Sequence, residues 1–184
     1  MKFYIAIPVY KAEAFLSECV SSVLSQTCQD FEIVLVDDGS PDGCGKLCDE
    51  FAARDGRIHA IHQKNTGPYG ARRTAIRFLL EHGSPEDRVV FLDADDSLKP
   101  NALEVIRRCV EETGADLVFL GEDQVFEGQI LRPFPVDMAY TGTVTDRRLL
   151  YKIVFQDGWY NPLWKKVPAL FLLPREDHPE FSPV

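Results

Sequence analysis

Short apolar segments that alternate with amphipathic ones constrain the fold of this chain more than any other feature of its sequence. Near-continuous apolar segments are typical of strands buried on both faces, and apolar residues at helical spacing indicate helices between them. This alternation predicts an α/β fold, a Rossmann-like and mostly parallel sheet with helices on both faces. The predicted strands are 3–7, 31–36, 57–62, 88–92 and 116–120, and the predicted helices are 12–26, 44–54, 69–81 and 100–112.

Two residues predict where helices end or begin. Gly83 follows the third helix and is expected to stop it. Pro100 is expected in the first turn of the fourth helix. After Leu120 the pattern becomes less regular, and the predicted elements are a hairpin over 125–131, a helix over 145–156 and a polar-aromatic stretch over 159–166.

Size, charge and hydropathy exclude several classes of protein. A chain of 184 residues has room for one domain, and its 45% hydrophobic and 27% charged residues are the balance of a globular protein. The net charge of −9 argues against a nucleic-acid partner, because binding to phosphate backbones relies on clustered Lys and Arg. The longest apolar run, 169–173, is too short to cross a bilayer, and residues 1–8 predict a strand rather than a signal peptide. We therefore expect neither a secreted nor a membrane-spanning protein.

The five cysteines are an odd number and form no paired Cys-x-x-Cys framework. We interpret them as buried thiols that pack as small hydrophobic side chains, rather than as metal ligands or disulfides. Because free thiols persist where glutathione keeps them reduced, the cytoplasm is the expected location.

Polar residues follow each of the first four predicted strands. The carboxyl ends of parallel strands meet at one edge of the sheet, and ligands bind there where the strand order reverses. We therefore expect a single site at this edge. Its candidate residues are Pro8, Val9 and Tyr10 after the first strand, Asp38 after the second, Asn65, Gly67 and Arg72 after the third, and Asp93, Ala94, Asp95 and Asp96 after the fourth.

The fourth group predicts a metal site. Asp93, Asp95 and Asp96 are three acids within four residues at the end of an apolar strand, where repulsion and burial disfavour them unless a cation is present. Mg²⁺ and Mn²⁺ take oxygen ligands, typically one or two carboxylates together with phosphate oxygens and water. An aromatic ring, an acid, an arginine and a cation at one edge would suit a nucleoside diphosphate.

Each group also has an ordinary structural interpretation. Tyr10 alone is a half-buried tyrosine, residues 37–42 are a turn with a helix cap, and Arg72 alone is a surface charge. Residues 65–68 read as a loop, and 95–97 read as a turn. Taken singly, these interpretations are at least as good as the functional ones. Their occurrence at four consecutive strand ends favours a site.

The same residues form a series of motifs in a characteristic order. The motifs are Ile7-Pro8-Val9-Tyr10, Leu24-Ser25-Gln26-Thr27 with Asp30-Phe31-Glu32, Val36-Asp37-Asp38-Gly39-Ser40-Pro41-Asp42, Asn65-Thr66-Gly67 with Ala71-Arg72, and Phe91-Leu92-Asp93-Ala94-Asp95-Asp96. Over about residues 2–120, roughly two thirds of the chain, the sequence resembles the family 2 glycosyltransferases of GT-A fold.

This resemblance implies an inverting transferase that uses a nucleotide-diphospho-sugar donor and Mn²⁺ or Mg²⁺. UDP-linked donors are the commonest expectation, and GDP- and dTDP-linked donors stay open. Residues 1–120 would then bind the donor, and residues 121–184, which we expect to be cut short, would bind a glycan or lipid-linked acceptor at the inner face of the membrane. The implied roles are a nucleoside border at Pro8, Val9 and Tyr10, a base contact at Asp38, a ribose contact at Asp93, further donor contacts at Asn65, Gly67, Arg72 and Ala94, and metal binding at Asp95 with Asp93 and Asp96.

The sequence departs from the family pattern at three positions. Lys11 stands where Asn is common, and Arg73 and Ala75 replace Asn and Gly. These changes put tight phosphate or sugar contacts near the third helix in doubt.

A general base is also implied, because the acceptor hydroxyl must lose a proton. In the family this base is an aspartate well after the metal motif, often in a Glu-Asp pair. Asp177, next to Glu176, is the predicted base, and the pair Glu122-Asp123 is its competitor. Both pairs also read as solvated acids.

Three alternatives stay open at this point. A phosphohydrolase of the haloacid dehalogenase type would use Asp93 as its nucleophile. A nucleotide-sugar-binding module without turnover would keep the site and lack the base. Residues 38–49 also mimic a calcium loop, although a strand rather than a helix is predicted before them.

Overall fold

A computed structural model of the chain describes residues 1–120, 122–126, 129–134 and 166–168. Each predicted element up to residue 120 is present. The strands are β1 (Phe3–Val9), β2 (Phe31–Asp37), β3 (Ile58–His62), β4 (Arg88–Phe91), β5 (Leu117–Phe119), β6 (Glu122–Phe126), β7 (Gln129–Phe134) and β8 (Lys166–Pro168). The helices are α1 (Leu16–Leu24), α2 (Cys44–Arg54), α3 (Gly67–His82) and α4 (Ala102–Thr113).

Two predicted helix starts were wrong, and the predicted end of α3 is confirmed. Residues 12–15 form a turn before α1, in which the Phe15 amide donates to the Ala12 carbonyl at 2.9 Å. Pro100 lies before α4, because its carbonyl accepts from the amide of Thr27 at 3.0 Å and so belongs to a loop contact. Gly83 does follow α3, but with an extended backbone rather than the left-handed turn that a C-terminal glycine often adopts.

The central sheet has the order β3-β2-β1-β4, and all of its strands are parallel. Strands β2 and β3 lie on one side of β1, and β4 lies on the other. The strand order therefore reverses at β1, which puts the expected ligand position at the carboxyl ends of β1, β2 and β4. This confirms the α/β fold.

The sheet has a core on each face. Phe3, Ile5 and Ile7 point to the face covered by α1, α2 and α4, whereas Tyr4 and Ala6 point to the face covered by α3. This alternation is the period-two pattern of a strand that is buried on both faces. Cysteines from α1 and α2 fill gaps in the first core as small hydrophobic side chains, and these are Cys19, Cys44 and Cys48.

Beyond residue 120 the described elements are strands. The predicted hairpin is present as the antiparallel pair β6 and β7. β8 pairs antiparallel with β5, an arrangement that the sequence did not predict. The helix predicted over 145–156 lies outside the described residues. Within the part of the chain that the structure describes, no helix has the length and apolar character needed to cross a membrane.

Candidate functional site

A cavity of about 460 Å³ opens at the carboxyl ends of β1, β2 and β4. It lies where the strand order reverses, as expected for a parallel sheet. Its lining brings together ten of the residues that the sequence singles out. These are Pro8, Val9, Tyr10, Asp38, Asn65, Gly67, Arg72, Asp93, Ala94 and Asp95.

Asp38 forms the floor of the cavity, with only 2% of its surface exposed. Its Oδ2 accepts from the amide of Gly67 at 2.9 Å. Its Oδ1 accepts from the amide of Thr66 at 2.9 Å and from the side chain of Gln63 at 2.6 Å. Because four backbone amides at the start of a helix lack partners within it, this carboxylate also holds the first turn of α3.

The turn after β2 packs closely on the loop that precedes α3. Gly39 has φ +67°, and a Cβ there would lie 3.0 Å from the amide nitrogen of Asn65. A side chain at this position would therefore be strained and would also push the loop away. This contact holds the turn that follows Asp38 against the loop that carries Asn65.

Lys11, one of the departures from the family pattern, adds a positive charge to the cavity lining. Its φ of +53° is left-handed, and its amide donates to Ser40 Oγ at 3.4 Å. Its Nζ lies 5.3 Å from the ring centroid of Tyr10, whose surface is 45% exposed. Lys11 and Tyr10 together form the outer edge of the cavity on the β1 side.

Asp93 forms an ion pair with Arg72. The Arg72 Nη2 donates to Asp93 Oδ1 at 2.5 Å, and Arg72 is buried in the second core. Burial raises the pKa of Asp93, and the charge and hydrogen bond of Arg72 oppose that rise. Arg72 therefore provides a balancing charge for Asp93 within the protein.

Asp95 and Asp96 are exposed to solvent. Asp95 lines the cavity, whereas Asp96 follows in a turn closed by its own amide and the carbonyl of Asp93, at 3.0 Å. The negative charges of these acids act on Cys19, which lies on α1. The pKa of its thiol is raised to about 12, mainly by burial and then by the charges of Asp96, Asp95 and Asp93. This end of the cavity is therefore electronegative.

The carboxylates at this end of the cavity could bind a divalent cation only together with oxygens from a bound molecule. Among the described residues, no three His, Cys, Asp or Glu side chains are grouped to hold a metal ion. Asp95 offers one carboxylate without a balancing arginine in its described surroundings, next to the paired Asp93. Mg²⁺ and Mn²⁺ are commonly held by one or two carboxylates, with phosphate oxygens and water completing the shell.

Several cavity residues were missed in the sequence. Phe15 lines the cavity with 53% of its surface exposed, although its spacing predicts a core position on α1. The turn over residues 12–15 rotates it out of that face. Pro68 lies in the wall formed by α3, beside Ala71, which the motif Ala71-Arg72 already contains. No local signal in the sequence distinguishes these apolar residues from core residues.

The remaining predicted residues are placed as follows. Asp177 lies outside the described residues. Its competitor Asp123 forms an ion pair with Lys99, the two charged atoms being 2.5 Å apart. The calcium-loop interpretation of 38–49 does not fit, because strand β2 precedes it and the Asp38 carboxylate binds the start of α3.

His62, at the end of β3, contacts the end of β2 and helix α2. Its Nδ1 lies 3.1 Å from the Oδ2 of Asp37, and its Nε2 lies 3.0 Å from the Oδ1 of Asp49 on α2. The hydrogen bonds to Asp37 and then to Asp49 raise the pKa of His62 above its ordinary value of 6.5. A protonated His62 therefore bridges two carboxylates and ties β2, β3 and α2 together.

This bridge predicts a pH dependence of stability. Because the folded pKa of His62 is raised, its stabilisation is complete below pH 6.5 and is lost as the pH rises through the folded value. We expect the free energy of unfolding of wild type to exceed that of His62→Gln more at about pH 6 than at about pH 8.5. Urea unfolding of both proteins at the two pH values measures this difference. An equal difference at both would contradict the prediction.

A parallel α/β sheet with a cavity at the reversal of strand order places this chain in the class of doubly wound α/β folds, whose ligands bind at that point. The sequence matches the family model described as glycosyl transferase family 2 over residues 4–168. This chain belongs to that family.

Proteins with similar sequences are named as glycosyltransferases. The chain is 37% identical over 114 residues to the glycosyltransferase GlyG of Streptococcus pneumoniae, covering 62% of this chain and 36% of that protein. It is 32% identical over 162 residues to the putative glycosyltransferase EpsH of Bacillus subtilis, covering 88% of this chain and 45% of that protein. The chain thus spans less than half the length of these relatives. The family match does not favour the phosphohydrolase alternative.

Solved structures share the fold. The crystal structure of S. aureus TarS 1-349 in complex with UDP has a TM-score of 0.68 at 22% identity, covering 92% of this chain and 47% of that one. The mannosyltransferase PcManGT from Pyrobaculum calidifontis, in complex with GDP-Man and Mn²⁺, has a TM-score of 0.53 at 22% identity and covers 65% of this chain and 35% of that one. At this identity the likeness shows the fold alone, which is the GT-A fold.

Proposed function

We propose that this domain binds a nucleotide-diphospho-sugar in the cavity and transfers the sugar, with inversion, to an acceptor hydroxyl. The observation that carries the proposal is one cavity formed by the ends of β1, β2 and β4 together with the start of α3. It has an aromatic edge at Tyr10 and the carboxylates of Asp93 and Asp95 at the other end. The TarS structure contains UDP and the PcManGT structure contains GDP-Man, which supports a donor of this class.

The nucleoside belongs at the end formed by Pro8, Val9 and Tyr10. The exposed face of Tyr10 offers a stacking surface for a base, a contact worth about 1–3 kcal/mol in other proteins. Asp38 accepts hydrogen bonds only, so it selects a base that presents an N–H. UDP is our first choice of nucleotide, and GDP and dTDP satisfy the same condition.

The diphosphate belongs at the opposite end, near Asp93, Ala94 and Asp95. We propose that Asp95 is the main ligand of Mn²⁺ or Mg²⁺, with Asp93 and Asp96 beside it. When bound, the cation would neutralise the charge that develops on the departing diphosphate. The Arg72 side chain holds Asp93 in place, so that the carboxylate faces the cavity without repelling Asp95 at full strength.

The acceptor side is assigned to residues 121–184. A base is needed on the face of the sugar opposite the diphosphate. Asp177 is our proposed base, since Asp123 is already paired with Lys99. The proposed acceptor is a glycan or a lipid-linked sugar at the inner face of the membrane.

A thermal-shift screen tests the proposed function. The chain is heated with UDP-, GDP- and dTDP-sugars, each with and without Mn²⁺ and Mg²⁺. A ligand that binds the native state raises the melting temperature by mass action, by an amount equivalent to about 2.7 kcal/mol at 100 times its dissociation constant. We expect one nucleotide base to give the largest shift, and only with a divalent cation. No shift with any donor would reject the proposal.

A further inference from the structure

The carboxylate of Asp38 is held on one side by a chain of hydrogen bonds that does not touch the cavity. Gln63 Nε2 donates to Asp38 Oδ1 at 2.6 Å and to Thr66 Oγ1 at 2.6 Å. Thr74 Oγ1, on α3, donates to Gln63 Oε1 at 2.5 Å. Neither Gln63 nor Thr74 is among the residues that line the cavity.

The donor and acceptor types determine which group donates in each hydrogen bond of this series. A carboxylate only accepts, so the NH₂ group of Gln63 must face Asp38 and its carbonyl oxygen must face Thr74. The Thr74 hydroxyl then has to donate. Each link thus sets the orientation of the next, from the helix to the carboxylate.

The two oxygens of Asp38 differ in how fully they are used. Oδ1 accepts from Gln63, from the Thr66 amide and, at 3.3 Å, from the Thr66 hydroxyl. Oδ2 accepts from the Gly67 amide alone among the described residues. Since each carboxylate oxygen offers about two acceptor positions, Oδ2 has one left for a ligand.

Packing leaves little room for another arrangement of this loop. A Cβ on Gly70 would lie 2.0 Å from Thr66 Oγ1 and 2.6 Å from Thr66 Cβ. Only a glycine there allows the Thr66 side chain to reach Asp38 and Gln63. The loop, the start of α3 and the carboxylate are therefore set as one unit.

We infer that Gln63 and Thr74 are positioning residues for base selection. By holding Oδ1, they stop the carboxylate from rotating and keep the open position of Oδ2 directed at an N–H of the base, such as N3–H of uracil or N1–H of guanine. This inference rests on the proposed function, because it assumes that a nucleotide occupies the cavity.

The test compares nucleotides that differ only at that N–H. Isothermal titration with Mn²⁺ gives the affinity of the full chain for UDP and N3-methyl-UDP, and for GDP and N1-methyl-GDP. We expect wild type to prefer the unmethylated form of its own nucleotide by about tenfold or more, since a hydrogen bond to a charged group is lost on methylation. In Gln63→Leu and Thr74→Val this preference should fall to about threefold or less.

Thr74→Ser is the matched control, because it keeps the hydroxyl and should keep the wild-type preference. A merely structural role of Thr74 would weaken binding of both forms equally in Thr74→Val and leave the preference unchanged, and that result would overturn the inference. Wild type that binds no nucleotide at all would reject the proposed function and this inference with it. Wild type that binds, with an unaltered preference in both variants, would reject the inference alone.

Discussion

Asp95→Asn is expected to abolish the cation-dependent part of nucleotide binding. Of the two lining acids that follow β4, Asp93 is paired with Arg72, whereas Asp95 has no arginine partner in the described part of the chain. Neutralising Asp95 therefore removes the main proposed protein ligand of the metal. Loss of a direct charged contact costs about 2–5 kcal/mol, which corresponds to a loss of about 30-fold to several thousandfold in affinity for UDP or GDP with Mn²⁺. Isothermal titration with and without Mn²⁺ measures the effect.

Asp30→Asn provides a control with the same change of charge. Asp30 precedes β2, at the edge of the sheet opposite the cavity, and is 3.0 Å from the guanidinium of Arg107. Nucleotide affinity should be the same in this variant as in wild type. Asp96→Asn should cost less affinity than Asp95→Asn, since the Asp96 side chain is not part of the cavity lining. Full Mn²⁺-dependent affinity in Asp95→Asn would remove Asp95 from its proposed role.

Arg72→Met is expected to destabilise the fold even without any ligand. The Arg72 side chain is 10% exposed and that of Asp93 is 25% exposed, so the pair is largely shielded from water. Removing one partner leaves a carboxylate that is partly buried and unbalanced, at a cost of about 2–4 kcal/mol in the free energy of unfolding. Urea unfolding in the absence of nucleotide and metal measures this cost.

Arg73→Met is the control variant for Arg72→Met. It removes a positive charge from α3 and leaves the ion pair between Arg72 and Asp93 intact. Arg73 is the next residue on the same helix, and it is exposed to solvent. Its replacement should change the free energy of unfolding by about 0.5 kcal/mol or less. If Arg72→Met were as mild as Arg73→Met, the ion pair with Asp93 would contribute nothing to stability.

The sheet and the position of the cavity could be predicted because their signals are local. Apolar runs such as 31–36 identify buried strands, and parallel strands bring their carboxyl ends to one edge whatever the details of packing. Asp38, Asp93 and Asp95 could therefore be assigned to one site from their places after β2 and β4.

The partners of these residues could not be predicted, because they are set by packing between distant segments. Arg72 and Asp93 lie 21 residues apart in sequence, and nothing near either position indicates that they pair. The bond between Gln63 and Thr74 depends on the angle at which the loop enters α3. The short strand β8 could not be predicted either, because its three residues pair with β5, which is distant in the sequence.

Helix α3 carries both Gly67, whose amide binds Asp38, and Arg72, whose guanidinium binds Asp93. The two residues lie about 7.5 Å apart along the helix axis. Both residues belong to the first six of this sixteen-residue helix. Under the proposed function, a base that fits poorly against Asp38 would therefore displace Arg72 as well. Fidelity toward the nucleotide would then appear in the rate of sugar transfer and not only in the strength of donor binding.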